Sequence, residues 1–571
     1  MASSSRADLT ADVVVIGGGP GGSTAATMLA RKGLQVLLLE RDHFPRDHIG
    51  ESLLPASVPV LEELGVLPAV QEAGFLPKWG ATMVWGKEKT PWSWYFRETN
   101  QRYPHSYQVW RPQFDRLLLE NSRVNGVDVR EGHNVLEVLF QDGRATGVRY
   151  ASEGAGEGVA RARFVVDASG QRALLGHKFQ LRRWDSFFQN LAVYGYFVGA
   201  QRLPPPDETN IFIESYPHGW FWNIPLHTGW MSVGAVVDSR TGQQGIRHSS
   251  PQRFLMDQIG QAPYTGRMLR DARLAYGPFV IKDWSYVSEE VVGDGYILVG
   301  DAACFVDPLF SSGVHLALMA GILAAAYVTT VLRYPSMRDA AGRAYKDLYY
   351  KEYDHFRQMA KLFYSSNRTV DSYFWEARRV LGANGNLSPR KAFIRAVAGQ
   401  PARGYERVVL EHGEAPPEFV RSVRLVESER AARRAQLAAA QPSPASPPNP
   451  LSVSDGEGAG GEAGGLGRTA LYQAVPRLVD HVQVQRKPIV AEGEFVWGYV
   501  LTTSGYPEGV PCSSLVARMV SLIDGHTSVA QLLTKLSAGR DEIEGAQIER
   551  SAMAALQVLY VDGSVADLRG L

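Results

Sequence analysis

Cysteine is nearly missing from these 571 residues: Cys304 and Cys512 lie far apart and outside any CxxC or metal-ligand spacing. That excludes a disulfide framework and a cysteine-based metal site, and it points to a reducing, cytoplasmic setting. Excess charge of either sign is lacking too, because 59 Lys and Arg balance 59 Asp and Glu. Neither a nucleic-acid-binding surface nor a membrane-surface face is expected from that balance. Met1 to Thr10 contain no apolar run, so no secretory signal is predicted there. Only one long hydrophobic run occurs, Val314 to Leu332, and its length alone would suffice to cross a bilayer. It carries His315, follows a loop of turn-forming residues and stands alone, so it reads as a buried central helix. What remains is ordinary globular composition, long enough for two or three domains with a sizeable core.

The first forty residues hold the strongest local signal. Residues 11–16 (ADVVVI) form a continuous apolar strand, 21–32 a helix of small residues, and 34–40 (LQVLLLE) a second buried strand. Strand, helix and strand in that order imply a parallel pair with a crossover helix. Between them, Gly17 to Gly22 fit G-x-G-x-x-G. Gly17 would permit the tight turn, Gly19 the close approach of a pyrophosphate, and Gly22 the packing of helix on sheet. The helix N-terminus would receive the phosphate charge. Glu40, ending the second strand, is placed to bind ribose hydroxyls.

Further along, VLFQDGRATGVRY predicts a hairpin around Asp142-Gly143, and RFVVDAS another buried strand. Aromatic and β-branched runs between 184 and 290 suit an antiparallel sheet. GYILVG (295–300) returns to the parallel type, so the first domain is discontinuous, 10–183 with 291–340. Residues 341–435 read as a helical segment on the substrate side. The Pro-, Ser-, Ala- and Gly-rich stretch 436–468 buries too little apolar surface to order itself and reads as a flexible linker. A small helical or winged-helix-like domain is expected over 469–571. Its SLIDGHTSVAQLLTKL is similar to peptide-chaperone modules found beside peptide-modifying enzymes, although plain packing accounts for it better.

Three later stretches resemble the flavin-dependent aromatic hydroxylases. Arg111, in YQVWRPQFD, resembles the arginine that meets the flavin pyrophosphate. VVDASG (165–170) resembles their second flavin-edge strand, and GYILVGDAACFVDP their Gly-Asp motif, with Asp301 on the ribityl chain. The resemblance implies an α/β fold with a Rossmann-like FAD-binding domain of the aromatic-hydroxylase (glutathione-reductase) type. An antiparallel-sheet substrate layer and the small C-terminal domain complete it. A helix from Gly313, with Val314 in its first turn, would aim its N-terminus at the flavin pyrimidine.

Two longer motifs are more specific. Trp220-Phe221-Trp222-Asn223-Ile224-Pro225 matches WxWxIP, and Phe305 to Gly313 (FVDPLFSSG) matches FxxPxxSxG. Both motifs, with Gly50-Glu51-Ser52 and the upstream FPRDHIG, resemble flavin-dependent halogenases of the phenolic and carrier-protein-tethered type. The resemblance implies FAD, delivered as FADH2 by a separate flavin reductase, and chloride as cosubstrate. Trp220, Trp222, Phe305 and Pro308 would wall the flavin from the substrate. Backbone N–H groups of Ser312 and Gly313 would hold chloride, and hypochlorous acid would cross to Lys78. Lys87 and Lys89, in a polar run, are expected to face solvent. Glu51 and Asp283 are further candidates for flavin contact. Tryptophan halogenases carry a glutamate where Phe310 stands, so a phenol or pyrrole on a carrier protein is the expected substrate. An aromatic hydroxylase would share the flavin grip but not WxWxIP or Lys78, and chloride dependence separates the two. A non-catalytic flavin scaffold and a geranylgeranyl-reductase-like enzyme are the remaining alternatives.

Overall fold

The computed structural model describes residues 9–87, 89–282, 285–365, 388–399, 471–491, 493–503, 506–540, 542–562 and 564–569. Asp283, the linker 436–468 and most of 366–435 lie outside the described residues. Strand Leu9–Ile16 pairs in parallel with Val36–Leu39 on one side and Gly156–Asp167 on the other. Its apolar run has no polar alternation because both of its faces are buried, as Val13 to Ile16 show. Tyr296–Leu298 lies parallel to Gly156–Asp167 and carries Val292–Gly293 at one edge, and Asp128–Arg130 forms the other edge. The predicted hairpin joins His133–Gln141 to Arg144–Ser152, with Asp142 and Gly143 both at positive φ, as a tight two-residue turn requires.

The apolar run forms helix Gly313–Arg333, buried along most of its length, against helix Pro20–Arg31. Small residues allow that crossing: a Cβ at Gly321 would lie 2.7 Å from the Gly21 carbonyl oxygen. The two helices thus meet backbone to backbone directly behind the glycine turn.

A second, seven-stranded sheet runs Arg273–Lys282, Asn190–Val198, Trp230–Asp238, Gly219–Pro225, Ile211–Tyr216, Gly80–Val84, Trp92–Tyr95. Most of its pairs are antiparallel, but Ile211–Tyr216 lies parallel to Gly80–Val84. The last two strands come from well before residue 184, so the layer draws on more of the chain than its aromatic runs suggested. Three helices, Ser239–His248, Pro251–Ile259 and Pro263–Met268, interrupt the stretch read as all strand. Asp238 and Ser250 cap the first two, and Phe254, Leu255 and Ile259 cover one face of the sheet over Phe221, Val233 and Ala235. The alternation of strand Gly219–Pro225 therefore turns Trp220 and Trp222 to the opposite face.

The chain divides into two compact units, and the two large sheets with their helices belong to the first. The second carries helices Ser514–Leu522, Val529–Ser537 and Glu542–Asp562, a three-stranded sheet and a short two-stranded one. Leu532, Leu533, Leu536, Leu556 and Leu559 make its own core.

Candidate active site

The glycine turn is built as its spacing predicts. Gly17 has φ +99°, and a Cβ there would lie 2.5 Å from the Ala168 carbonyl oxygen. A Cβ on Gly22 would come within 2.0 Å of the Gly17 oxygen, so this glycine seats the helix on the strand. Gly19 is different: the only atom near its missing Cβ is Nη2 of Arg46, at 3.4 Å. Open backbone facing a cation is what a pyrophosphate needs. The Glu40 carboxylate is buried and accepts hydrogen bonds from the N–H of Gly18 at 2.6 Å and of Asp42 at 2.9 Å. It braces the turn as well as standing at the strand end.

Arg111 is buried at the start of helix Arg111–Val124 and donates to both Asp115 carboxylate oxygens, at 2.7 and 2.8 Å. It also donates to the Ile49 carbonyl. Arg46 reaches the same carboxylate at 3.7 Å, while its Nε is buried with no hydrogen-bond partner among the described residues. Two guanidinium groups thus share one carboxylate beside the open face of Gly19. The surplus positive charge and the orphaned donor fit the diphosphate of FAD. Arg46 lies within FPRDHIG, but nothing in its spacing marked it as a cofactor contact.

Asp301 follows strand Tyr296–Leu298, and burial pushes its carboxyl up to about 6 against the pull of Arg111 and Arg182. Glu51 is buried, accepts from the Tyr196 hydroxyl at 2.8 Å and from the Gly50 N–H at 3.3 Å. Desolvation raises its carboxyl above the ordinary range, with the Tyr196 bond and Arg111 opposing. Tyr196 stands in an aromatic group with Trp110, Trp230 and Tyr276.

Lys78 ends the short strand Leu76–Lys78 and is only 2 % exposed. Gly80, two residues on, is required there, because a Cβ would meet the Trp94 carbonyl oxygen at 1.9 Å. The Lys78 amine donates to the Leu53 carbonyl at 2.9 Å and lies 3.4 Å from the Ser311 hydroxyl and 5.7 Å from the Phe96 ring centre. Burial lowers its pKa to about 7. The cavity around it is lined by Leu54, Ala81, Trp94, Phe96, Ile213 and Phe310, among others. Lys87 and Lys89 are exposed, as expected.

Ser311 has φ +59°, the left-handed conformation, and ends the turn Pro308–Phe310. Ser312 then stands at the N-cap of helix Gly313–Arg333 without a side-chain capping bond. The first N–H groups of a 21-residue helix are therefore left for an anion. Gly313 cannot carry a side chain without displacing the Phe305 ring, which lies 2.7 Å from the Cβ position. Val314 is buried in the first turn. On the opposing sheet Trp220 and Trp222 are buried, with ring centres 6.1 Å apart. Trp222 donates to Ser232 at 3.2 Å, and Trp85 adds a third indole 6.3 Å from Trp220. Trp85 and the Tyr364 hydroxyl, described below, carry no motif signal and emerge only from packing.

The Tryptophan halogenase family profile matches residues 97–412, and an FAD dependent oxidoreductase profile matches residues 12–177. The first spans more than half of the chain. This chain belongs to the flavin-dependent halogenases. It is 36% identical over 371 residues to the Tryptophan 2-halogenase of Chondromyces crocatus, covering 64% of this chain and 70% of that protein. It is 32% identical to the 1H-pyrrole-2-carbonyl-[peptidyl-carrier protein] chlorinase of Pseudomonas fluorescens, covering 64% and 86%. The solved structure of the myxobacterial chondrochloren halogenase CndH superposes with a TM-score of 0.60 at 43% identity, over 69% of this halogenase and 91% of that chain. The fold is therefore that of an FAD-dependent halogenating enzyme, and FAD is its cofactor.

Proposed function

We propose that this halogenase chlorinates an electron-rich phenol or pyrrole presented on a carrier protein, with hypochlorous acid delivered through Lys78. Reduced FAD, supplied by a separate reductase, provides with oxygen the oxidising power that converts chloride to hypochlorous acid. The residues of the chain do the rest. Gly17, Gly19, Gly22, Glu40, Arg111 and Arg46 hold the adenosine and diphosphate, and Asp301, Val314 and Glu51 border the flavin. The open N–H groups at Ser312 and Gly313 hold chloride at the helix start. Trp220, Trp222, Phe305 and Pro308 keep the aromatic substrate away from the flavin.

The observation that carries the reading is the Lys78 amine, buried in an apolar cavity with its pKa near 7. Near neutral pH both of its forms are available. The ammonium form can hydrogen-bond hypochlorous acid and polarise its chlorine. The neutral form can react with it to give a chloramine and water, then transfer chlorine to the ring and recover the amine. Phe310 offers no carboxylate to activate an indole, which favours substrates that need less help. The Chondromyces relative is named for tryptophan and the Pseudomonas one for a carrier-bound pyrrole, so the substrate must be tested directly. Carrier-loaded tyrosyl and pyrrolyl groups and free tryptophan, each with reductase, oxygen and chloride, are compared by mass spectrometry. Chlorination of a tethered phenol or pyrrole is expected, and product from free tryptophan alone would overturn the substrate assignment. Lys78→Met is expected to bind FAD and consume oxygen as before but form no chlorinated product. Chlorination surviving in that variant removes Lys78 from the mechanism.

A further inference from the structure

The Trp220 indole, the Tyr364 hydroxyl and the Asp307 carboxylate form one hydrogen-bonded chain, buried at Trp220 and Asp307 and half-buried at Tyr364. Trp220 Nε1 donates to the Tyr364 hydroxyl at 2.6 Å, and that hydroxyl donates to Asp307 Oδ2 at 2.9 Å. Asn190 Nδ2 approaches the same hydroxyl at 3.4 Å. The other Asp307 oxygen accepts from the Leu309 N–H at 2.9 Å, capping the turn Pro308–Phe310. Three distant parts of the chain are tied together in this way: the WxWxIP strand, the last turn of helix Arg338–Ser365, and the loop leading to Ser312 and Gly313.

What the chain holds in place explains why it is needed. The capped turn ends on Ser311, a non-glycine residue in the left-handed conformation, which surrounding contacts must enforce. Ser311 then sets both the distance to the Lys78 amine and the direction in which helix Gly313–Arg333 begins. Asp307 is 2 % exposed; desolvation first, and then the Asp307 charge beside it, raise the Tyr364 phenol well above its ordinary range, so it stays protonated and donates. Trp85, Phe187 and Phe188 pack around the Tyr364 ring, so the hydroxyl has a fixed position.

We propose that Tyr364 is a positioning residue for halogenation, locking the wall tryptophan Trp220 to the Asp307-capped turn that presents the halide loop. It rests on the reading of Ser312 and Gly313 as the chloride site. Tyr364 acts through two of the side chains it bonds, Asp307 and Trp220.

Tyr364→Phe keeps the ring and removes the hydrogen bonds to Trp220, Asp307 and Asn190. In the full-length enzyme loaded with FAD, the KM for chloride is expected to rise about tenfold, the scale of one lost bond to a charged group. Chlorinated product per oxygen consumed falls and hydrogen peroxide rises, while FAD affinity stays at the parent value. Asp307→Asn is expected to give the same phenotype, and the double variant to be no worse than either single one. Unchanged chloride KM and coupling in Tyr364→Phe, or a lower melting temperature as its sole effect, overturns the proposal. Additive losses in the double variant overturn it as well. Gly313→Ala, which forces the Phe305 ring off the helix start, separates the two readings. If Gly313→Ala raises the chloride KM and Tyr364→Phe does not, only the positioning role fails. If Gly313→Ala leaves it unchanged, the chloride site is elsewhere and both readings fall.

Discussion

Burying Lys78 costs stability, and the cost depends on pH in a defined direction. Its pKa falls from the ordinary 10.5 to about 7 in the folded protein, because desolvation disfavours the charged form. The unfolded chain therefore binds this proton more tightly. The penalty is fully present below about pH 7 and fades as pH rises toward 10.5. Lys78→Met is accordingly expected to be more stable than the parent by several kcal/mol at pH 6 and hardly different near pH 10.5. Denaturant midpoints at the two pH values check this, and an equal gain at both would show that the amine is not desolvated. Arg46 makes the complementary case for an anion. Its buried Nε has no protein partner among the described residues, and it lies across the open face of Gly19. Arg46→Gln should weaken FAD binding roughly tenfold, the usual scale for a charge-assisted hydrogen bond. A titration of the apoenzyme with FAD giving the parent affinity would place the diphosphate elsewhere.

Among the elements, the helix pair Pro20–Arg31 and Gly313–Arg333 is held to one crossing by its small residues. They cross where Gly21 meets Gly321. A side chain at 321 would press on the Gly21 carbonyl and on Thr24, neither of which can move without shifting the glycine turn. Gly321→Val is expected to destabilise the protein by about 2 kcal/mol or more, as overpacked cores do, and to release FAD in step. Thermal melting with flavin fluorescence tests both, and a variant that melts lower yet keeps its flavin would uncouple the crossing from the turn. The same crossing accounts for the one apolar run long enough to span a membrane. Small residues on its face bring the run against another helix rather than lipid. The strand Gly219–Pro225 shows the opposite division of labour. Its alternation sends Phe221 into a helix-covered core and leaves Trp220 and Trp222 on the face toward Tyr364 and Tyr194.

Across the whole molecule, the site draws on segments near residues 17–22, 46–51, 78, 111, 220–222, 301–314 and 364. Legibility tracked how local each constraint is. The turn at Gly17–Gly22 and the hairpin at Asp142-Gly143 follow from backbone geometry within a few residues, so spacing alone exposes them. The long motifs around Trp220 and Phe305 were readable because whole strings of residues serve one surface. The helices between 239 and 268 were missed, since they are short and polar and set only a few apolar side chains, Phe254, Leu255 and Ile259 among them, against the sheet. Arg46, Trp85 and Tyr364 were also missed: each acts on partners tens to hundreds of positions away, and no local pattern encodes that. The sequence by itself determined the parallel α/β core, the dinucleotide turn and the two motifs of the halogenase family, because these depend on short-range sterics and contiguous residues. Only the tertiary structure decided that Lys78 is desolvated, that Arg46 faces Gly19 and that Tyr364 joins Trp220 to the Asp307-capped turn before Ser312. Burial, charge balance and hydrogen bonding there depend on which distant segments close around each group.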